Sequence, residues 1–205
     1  MRTLRSALIA VSVLLVCAAS ANAQHIDAYF GMGTVTDPSS NQVFDSGTGT
    51  LVSTPEMDGL FGMLGLGLMF TPSFGLGIEG TFRFAQDDCV DFGYRPIFYD
   101  FNGVYTPTLG SDRVMAEFQG GLGGVNLTFY GGQEYCDYYT GQCSNYVGSI
   151  NRFALHAAVG LRIYVLENIF LRPQFDYRWV PNLNEQFKRN SVLGYTLAIG
   201  YSSSQ

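Results

Sequence analysis

The feature that most constrains this chain is a two-residue alternation between polar and aromatic side chains. In residues 171–180 (LRPQFDYRWV), one parity carries Arg172, Gln174, Asp176 and Arg178, and the other carries leucine, proline, three aromatic side chains and no charge. A period of two indicates an extended strand with two chemically different faces. Such a strand fits a soluble sandwich, in which the aromatic face is the core. It also fits a membrane barrel, in which the aromatic face contacts lipid and the charges fill the interior.

The first 23 residues have the features of a secretory signal. Arg2 and Arg5 precede a short apolar run, and Ala21 and Ala23 form a small-x-small cleavage motif. The apolar run is too short to span a bilayer as a helix. We therefore expect cleavage after Ala23 (signal peptide, residues 1–23) and a single barrel domain of residues 24–205.

Composition favours a membrane protein over a soluble one. The chain has 25 glycines, 16 phenylalanines and 13 tyrosines, and Lys188 is its only lysine. Soluble surfaces of this size normally carry many lysines. Loss of the two signal arginines changes the formal charge from −6 to −8, and an acidic balance argues against nucleic acid as a partner.

The same alternation predicts eight strands of about ten residues, the length that crosses a bilayer when tilted. The uncharged stretch 59–78 contains six glycines and Pro72, which break a helix but suit a hairpin of two strands. The predicted strands are residues 26–35, a strand ending before Thr71, and residues 74–84, 97–106, 113–125, 150–165, 171–180 and 192–201.

The predicted connections alternate between long and short. Polar, turn-rich loops are predicted for residues 36–58, 85–95, 126–149 and 181–190, and only short turns separate the other strands. A meander of antiparallel strands whose long loops all lie at one end matches the outer-membrane rule of short periplasmic turns and long extracellular loops.

The charges of the strands all fall on the polar parity. They comprise five acids and five arginines without a lysine, and glycine and alanine are frequent neighbours. Balanced arginine pairs suit a confined, poorly hydrated interior, where an unpaired charge is costly. We therefore predict a charge network that plugs the lumen and also contains a histidine: Asp27, Glu79, Arg83, Asp100, Glu117, Arg152, His156, Arg162, Arg172, Asp176 and Arg178.

Residues 24–201 resemble the small outer-membrane β-barrel family typified by OmpA and OmpX. The resemblance rests on the signal, the eight amphipathic strands, the alternation of loops and turns, and the LRPQFDYR segment, which is similar to that family's penultimate strand. It implies an all-β fold, an eight-stranded antiparallel up-and-down transmembrane β-barrel in the outer membrane of a Gram-negative cell, in contact with outer-membrane lipid and lipopolysaccharide. One departure is that Tyr201 is followed by four more residues, whereas such barrels usually end on an aromatic residue.

No motif in the sequence predicts catalysis. The two histidines are His25, near the expected cleavage site, and His156, which Ala157 and Ala158 follow. We therefore predict a non-enzymatic protein without catalytic residues, cofactor or metal, which acts in envelope structure and surface interaction. The alternatives left open are a narrow conduit for ions or small apolar molecules, a lipid-modifying enzyme and a soluble secreted ligand-binding barrel.

The longest predicted loop carries cysteines and tyrosines. Cys136 and Cys143 flank six residues and are expected to form a disulfide in an oxidising compartment, which leaves Cys89 as the odd cysteine. Exposed aromatic side chains suit contacts with proteins or glycans. We therefore expect a protein or glycan partner at these loop tyrosines: Tyr135, Tyr138, Tyr139 and Tyr146.

Overall fold

The structure, a computed structural model, describes most of the mature chain. The described residues are 25–36, 42–45, 50–53, 57–85, 87–89, 92–136, 143–185, 187 and 189–203. The predicted signal peptide, Tyr138 and Tyr139 lie outside these residues. None of the described residues belongs to a helix that is long and apolar enough to cross a membrane.

Eight long strands form the body of the molecule. In chain order they are β1 (His25–Thr36), β2 (Leu60–Met69), β3 (Phe74–Arg83), β4 (Phe92–Tyr105), β5 (Val114–Cys136), β6 (Cys143–Tyr164), β7 (Ile169–Trp179) and β8 (Ser191–Ser202). Four short strands lie between them, at Gln42–Asp45, Thr50–Ser53, Asp87–Cys89 and Thr108–Ser111, with a single 3₁₀ turn at Leu183–Glu185.

Each long strand pairs antiparallel with its neighbours in sequence, and β8 returns to pair with β1. Along this closing seam Asp27 lies opposite Ser202 and Thr36 lies opposite Leu193. The backbone N–H of Ser203 also donates to the carbonyl of Ile26 at 2.9 Å, so pairing continues past Tyr201. The sheet is therefore a closed eight-stranded up-and-down barrel, and the predicted fold class is confirmed.

The two ends of the barrel differ in their connections. The β2–β3, β4–β5 and β6–β7 connections lie at one end, the turn end, and comprise residues 70–73, 106–113 and 165–168. The other four connections lie at the opposite end, the loop end. A hydrogen bond from the backbone N–H of Phe74 to Thr71 Oγ1 (2.9 Å) closes the first turn, as the predicted hairpin requires.

The exterior of the barrel is apolar. Large apolar side chains point outward from all eight strands, and Phe101, on β4, is 63% exposed. On β6 this surface extends from Phe153 to Ile163, about the length of strand that a bilayer requires. Beyond Phe153 the next two outward residues of β6, Asn151 and Ser149, are polar, and Asn126 donates to Asn151 Oδ1 at 2.9 Å on the outer surface. These residues mark the boundary between the lipid-facing belt and water.

Two strands are longer than predicted. β5 has 23 residues and β6 has 22, so the segment 126–149, predicted as a loop, is mostly a hairpin that projects beyond the belt. The reason is a reversal of polarity: above the belt, Asn126 and Thr128 face outward to water, while Leu127 is buried inside. In the same way, β4 begins at Phe92 within the predicted loop 85–95.

Candidate functional site

The predicted lumen residues line the inside of the barrel. Ten of the eleven are buried, and the Arg172 side chain has no exposed surface; Arg152, near the loop end, is half-buried. They lie inward because strand parity places them opposite the lipid-facing side chains. Charge alone did not single out Asn102 and Gln119, which occupy the same parity and are also buried.

Arg172, on β7, is the centre of the network. Its Nη2 donates to Glu79 Oε1 at 2.6 Å, and its Nε donates to Glu117 Oε1 at 2.8 Å. The guanidinium also lies 4.1 Å from the ring centroid of Tyr29, whose hydroxyl donates to Glu79 Oε1 at 2.9 Å. One cation therefore joins carboxylates from β3 and β5 and a ring from β1.

Two further arginines repeat this arrangement at other depths. Toward the turn end, Arg162 donates to both Asp27 and Glu117. Toward the loop end, Arg178 Nη2 lies 2.8 Å from Asp100 Oδ2 and 3.8 Å from Asp176 Oδ1. A buried ion pair compensates its desolvation only when its hydrogen-bonding capacity is filled. Each of these three arginines has two carboxylate partners.

Neutral amides connect these ion pairs to His156. Its two ring nitrogens lie 2.8 Å from Asn102 Oδ1 and 2.9 Å from Asp176 Oδ1. Asn102 donates to Gln119 at 2.9 Å, and Gln119 donates in turn to a glutamate on either side. The polar side chains of the interior thus form one connected network of hydrogen bonds and ion pairs, with members on six of the eight strands.

Acids and cations come from different parts of the sequence. Four of the five interior carboxylates lie on β1 to β5, and five of the six interior cationic or basic side chains lie on β6 and β7; the exceptions are Asp176 on β7 and Arg83 on β3. The Arg162–Asp27 pair joins residues 135 positions apart. Charge balance therefore requires both parts of the sheet.

Above the network, at the loop end, the interior is apolar. This apolar cap comprises residues from the strands and four from the connections, all at most 2% exposed: Val35, Met57, Phe61, Tyr94, Phe98, Val125, Leu127, Ala154, Val180, Leu183, Phe187 and Val192. Met57 comes from the β1–β2 connection, and Val180, Leu183 and Phe187 come from the β7–β8 connection, where Phe187 packs edge-on against Tyr94 at 5.4 Å. Sequence analysis did not predict this cap.

Arg83 lies at the junction of the network and the cap. Its Nη2 is 3.6 Å from Asp58 Oδ1, and its guanidinium lies 5.5 Å from the ring centroid of Tyr94. Arg95 Nε donates to the Arg83 carbonyl at 3.0 Å. The predicted interior cation Arg83 therefore pairs with a loop acid, Asp58.

The projecting hairpin has a free edge. From Cys143 to Ala154, β5 is the only partner strand of β6 among the described residues, because pairing with β7 begins at Leu155. Register shifts fall between Ser144 and Gly148, so the part of this edge that is regular and carries no charged side chain is residues 148–151. An unpaired edge presents backbone N–H and C=O groups that another strand can pair with.

The predicted loop residues fall on this hairpin. Cys136 and Cys143 lie opposite each other near its tip and are joined by a disulfide. Tyr146 is 55% exposed, whereas for Tyr135 only the backbone position, opposite Ser144, is described. Cys89 lies in the β3–β4 connection, where its backbone is opposite that of Phe92. Cys136 and Cys143 belong to the β5–β6 hairpin.

One cluster in the interior has the composition of a metal site. Glu79, His156 and Asp176 each place a ligand atom within 4.8 Å of the others. Both carboxylates already accept hydrogen bonds from nitrogen donors, and Arg172 and Arg178 contact the cluster. A divalent cation would have to enter beside two guanidinium charges, so we assign these residues to the hydrogen-bond network.

A groove of about 830 Å³ lies on the barrel wall and opens on the lipid-facing surface, where a soluble ligand would not reach it. Most of its lining is outward apolar surface, including Phe30, Leu66, Ile78 and Phe101. Acyl chains of the bilayer would fill such a groove.

Comparison with known proteins identifies the fold. No protein-family model and no curated protein sequence matches the chain. Among solved structures, Ail, the attachment invasion locus protein of Yersinia pestis, matches with a TM-score of 0.51 at 15% identity, over 87% of this chain and 97% of Ail.

Two proteins of Pseudomonas aeruginosa are similar to the same degree. The N-terminal β-barrel domain of OprF has a TM-score of 0.53 at 12% identity, over 88% of this chain and 98% of that domain. The outer membrane protein OprG has a TM-score of 0.55 at 13% identity, over 90% of this chain and 98% of OprG. At these identities the likeness establishes the fold, and at that level the predicted resemblance is confirmed.

Proposed function

Because the chain is a small eight-stranded β-barrel of the outer membrane, we propose that it is a non-enzymatic surface protein with a closed interior. We further propose that it binds an extended segment of a protein partner through the projecting β5–β6 hairpin. The observation that carries this proposal is the free edge of β6 above the lipid-facing belt.

Two independent layers support a closed interior. The charge network fills the barrel at membrane depth, and the apolar cap covers it at the loop end. An ion crossing the barrel would have to break paired charges and then pass a dry apolar layer, both of which are costly. Purified barrel in a planar bilayer should therefore show no discrete conductance steps.

The chemistry around the histidines supports the absence of catalysis. Within the described residues, His156 has an amide and a carboxylate as its hydrogen-bond partners, not a hydroxyl that it could activate. His25 lies 3.8 Å from Asp27 at the turn end. Neither arrangement contains a nucleophile positioned beside a base.

The free edge supports strand addition as the mode of binding. Residues 148–151 (GSIN) contain neither a charged side chain nor proline, the features that commonly protect an edge from pairing. Main-chain hydrogen bonds to an added strand provide affinity with little dependence on sequence. The disulfide near the tip and the pairing with β5 hold this edge extended before a partner arrives.

Charge favours a protein partner over a sulfated glycan. Ail has been crystallised with the heparin analogue sucrose octasulfate, in a structure that matches this chain with a TM-score of 0.52. The four predicted loops of the present chain carry ten acids and only three bases, Arg95, Lys188 and Arg189. A polyanion would meet repulsion at this surface, whereas main-chain pairing does not depend on net charge.

Random peptides displayed on phage provide a direct probe of the edge. Barrel in nanodiscs should select peptides that are rich in β-forming residues. Their binding should be lost when Ser149→Lys and Asn151→Lys are combined on the free edge, because edge lysines oppose pairing. Thr128→Lys is the matched control, since Thr128 lies opposite Ser149 on the same outward face but on a strand paired on both sides.

Selected peptides that bind the double-lysine variant as well as the parent would contradict binding at this edge. Orientation is tested separately with an epitope inserted after Asn184, at the loop end, or after Asp112, at the turn end. On intact cells the first epitope should bind antibody and the second should not. The reverse pattern would place the hairpin in the periplasm and exclude a surface partner.

A further inference from the structure

His156 occupies a position in which both ring nitrogens face oxygen atoms. Nδ1 lies 2.8 Å from Asn102 Oδ1, and Nε2 lies 2.9 Å from Asp176 Oδ1. The side chain is 3% exposed, so bulk solvent does not supply other partners. The charge of the imidazole therefore depends on whether both of these oxygens must act as acceptors.

The orientation of Gln119 is dictated by its neighbours. Its Nε2 lies 2.9 Å from Glu79 Oε1 and 2.7 Å from Glu117 Oε1. Both glutamates are paired with Arg172 and are therefore carboxylates, which only accept hydrogen bonds. The amide NH₂ of Gln119 must face them, which leaves its Oε1 directed toward Asn102.

The orientation of Asn102 follows from that of Gln119. Gln119 Oε1 is an acceptor, so the group of Asn102 that lies 2.9 Å from it must be the amide Nδ2. The other end of the Asn102 amide is then the oxygen, and this oxygen faces His156 Nδ1. The nitrogen Nδ1 must therefore carry a proton.

The second nitrogen also faces an acceptor. Asp176 Oδ1 receives the Nε2 of Gln174 at 2.6 Å and lies 3.8 Å from Arg178 Nη2. A carboxylate held between an amide donor and a guanidinium is ionised and only accepts. The nitrogen Nε2 must therefore carry a proton as well.

We propose that His156 is held as an imidazolium ion that joins β4, β6 and β7 in the barrel interior. Its ring nitrogens reach Asn102 on β4 and Asp176 on β7, and Glu79 on β3 lies beside the same ring. Glu117 on β5 is connected to it through Gln119 and Asn102. The imidazolium thus adds a cation beside two buried carboxylates.

Loss of one proton would break this arrangement. A neutral imidazole has a single N–H, so either Asn102 Oδ1 or Asp176 Oδ1 would face a nitrogen lone pair. The same protons leave the imidazole without a lone pair for a metal ion.

Nitrogen NMR of the folded barrel tests the charge state directly. In ¹⁵N-histidine-labelled protein carrying His25→Gln, His156 is the only histidine of the mature chain. At neutral pH both ring nitrogens should give signals of protonated nitrogen, each coupled to a proton. A spectrum with one protonated and one unprotonated nitrogen would overturn the proposal, even if no variant at this position folds.

Addition of zinc ion gives a second test of the proposal, with the urea midpoint of unfolding as the readout. Zinc ion alone should leave the midpoint of the parent unchanged at neutral pH. A zinc-induced rise that His156→Gln abolishes would show an available lone pair and would also overturn it.

Discussion

At the scale of single residues, the interior explains why its cations are arginines. The guanidiniums of Arg162, Arg172 and Arg178 each present their edges to carboxylates and one face to an aromatic ring, at 5.2, 4.1 and 5.0 Å from the ring centroids. A planar guanidinium can make both contacts at once, whereas the ammonium of lysine has no face to stack. A substitution of arginine by lysine here would therefore keep the charge but lose the stacking on the aromatic ring.

Removal of the Asp176 carboxylate should weaken the barrel strongly. Asp176→Ala leaves Arg178 with one carboxylate partner, Asp100, instead of two, and leaves His156 Nε2 without its acceptor. Loss of one partner from a buried network costs about 3–5 kcal/mol of unfolding free energy. Urea unfolding of refolded protein in detergent measures this cost. The control Asp112→Ala, in an exposed turn, should change the free energy by about 0.5 kcal/mol or less. Equal stability of the two variants would contradict a closed network.

Two glycines that differ only in the direction they face provide a second prediction. A Cβ at Gly65 would overlap the Tyr29 ring and push it away from Arg172, whereas a Cβ at Gly80 would meet nothing within 4 Å. Gly65→Ala should therefore destabilise the barrel by roughly 1–3 kcal/mol. Gly80→Ala should be neutral or stabilising by up to about 1 kcal/mol, because glycine is unfavourable within a strand. Urea midpoints in the opposite order would show that Gly65 does not face the interior.

At the scale of strands and loops, the projecting hairpin shows where sequence analysis reached its limit. The alternation continues through residues 126–129, but Leu127 points inward and Thr128 outward, the reverse of the polarity within the membrane. An apolar-outward pattern therefore identified the spanning part of each strand and missed its extension into water. The cap residues Met57, Leu183 and Phe187 could not be found in this way, because they lie in connections where no period relates them to the strands.

The apolar cap should contribute stability as a hydrophobic core does. Phe187 is 2% exposed and packs on Tyr94, so Phe187→Ala should cost about 3–5 kcal/mol. The control Leu166→Ala removes a side chain that is 64% exposed in a turn and should cost about 0.5 kcal/mol or less. Both costs are measured by urea unfolding. A Phe187→Ala variant as stable as the control would mean that the β7–β8 connection does not fill the barrel mouth in solution.

At the scale of the whole molecule, the extent of the lipid-facing belt can be measured by placing an arginine at either of two heights on the outer surface. Phe175 lies on the outward parity near the middle of β7, and Asn126 lies on the same outward surface above the belt. Phe175→Arg should cost about 2–4 kcal/mol and Asn126→Arg about 0–1 kcal/mol in a bilayer. Unfolding from lipid vesicles measures both. Equal costs would show that the belt does not end below Asn126.

Sequence analysis predicted the closed barrel and assigned the charges of the predicted membrane-spanning strands to the inner face, because parity alone separates two faces. It did not predict the partners. Whether Arg172 meets Glu79 or Asp100 depends on strand tilt and on the relative heights of β3, β4 and β7, which no local pattern encodes. The pairing of Arg83 with Asp58, a loop residue, is the same kind of long-range outcome.

The separation of acids on β1 to β5 from cations on β6 and β7 has a consequence for how the chain enters the membrane. A partial barrel that lacked β6 and β7 would carry Asp27, Glu79, Asp100 and Glu117 without the arginines that bind them. Hydrocarbon strongly disfavours such uncompensated charge. Insertion of the early strands alone is therefore unfavourable. Assembly in the bilayer should be concerted, with β6 and β7 completing the charge balance as the sheet closes.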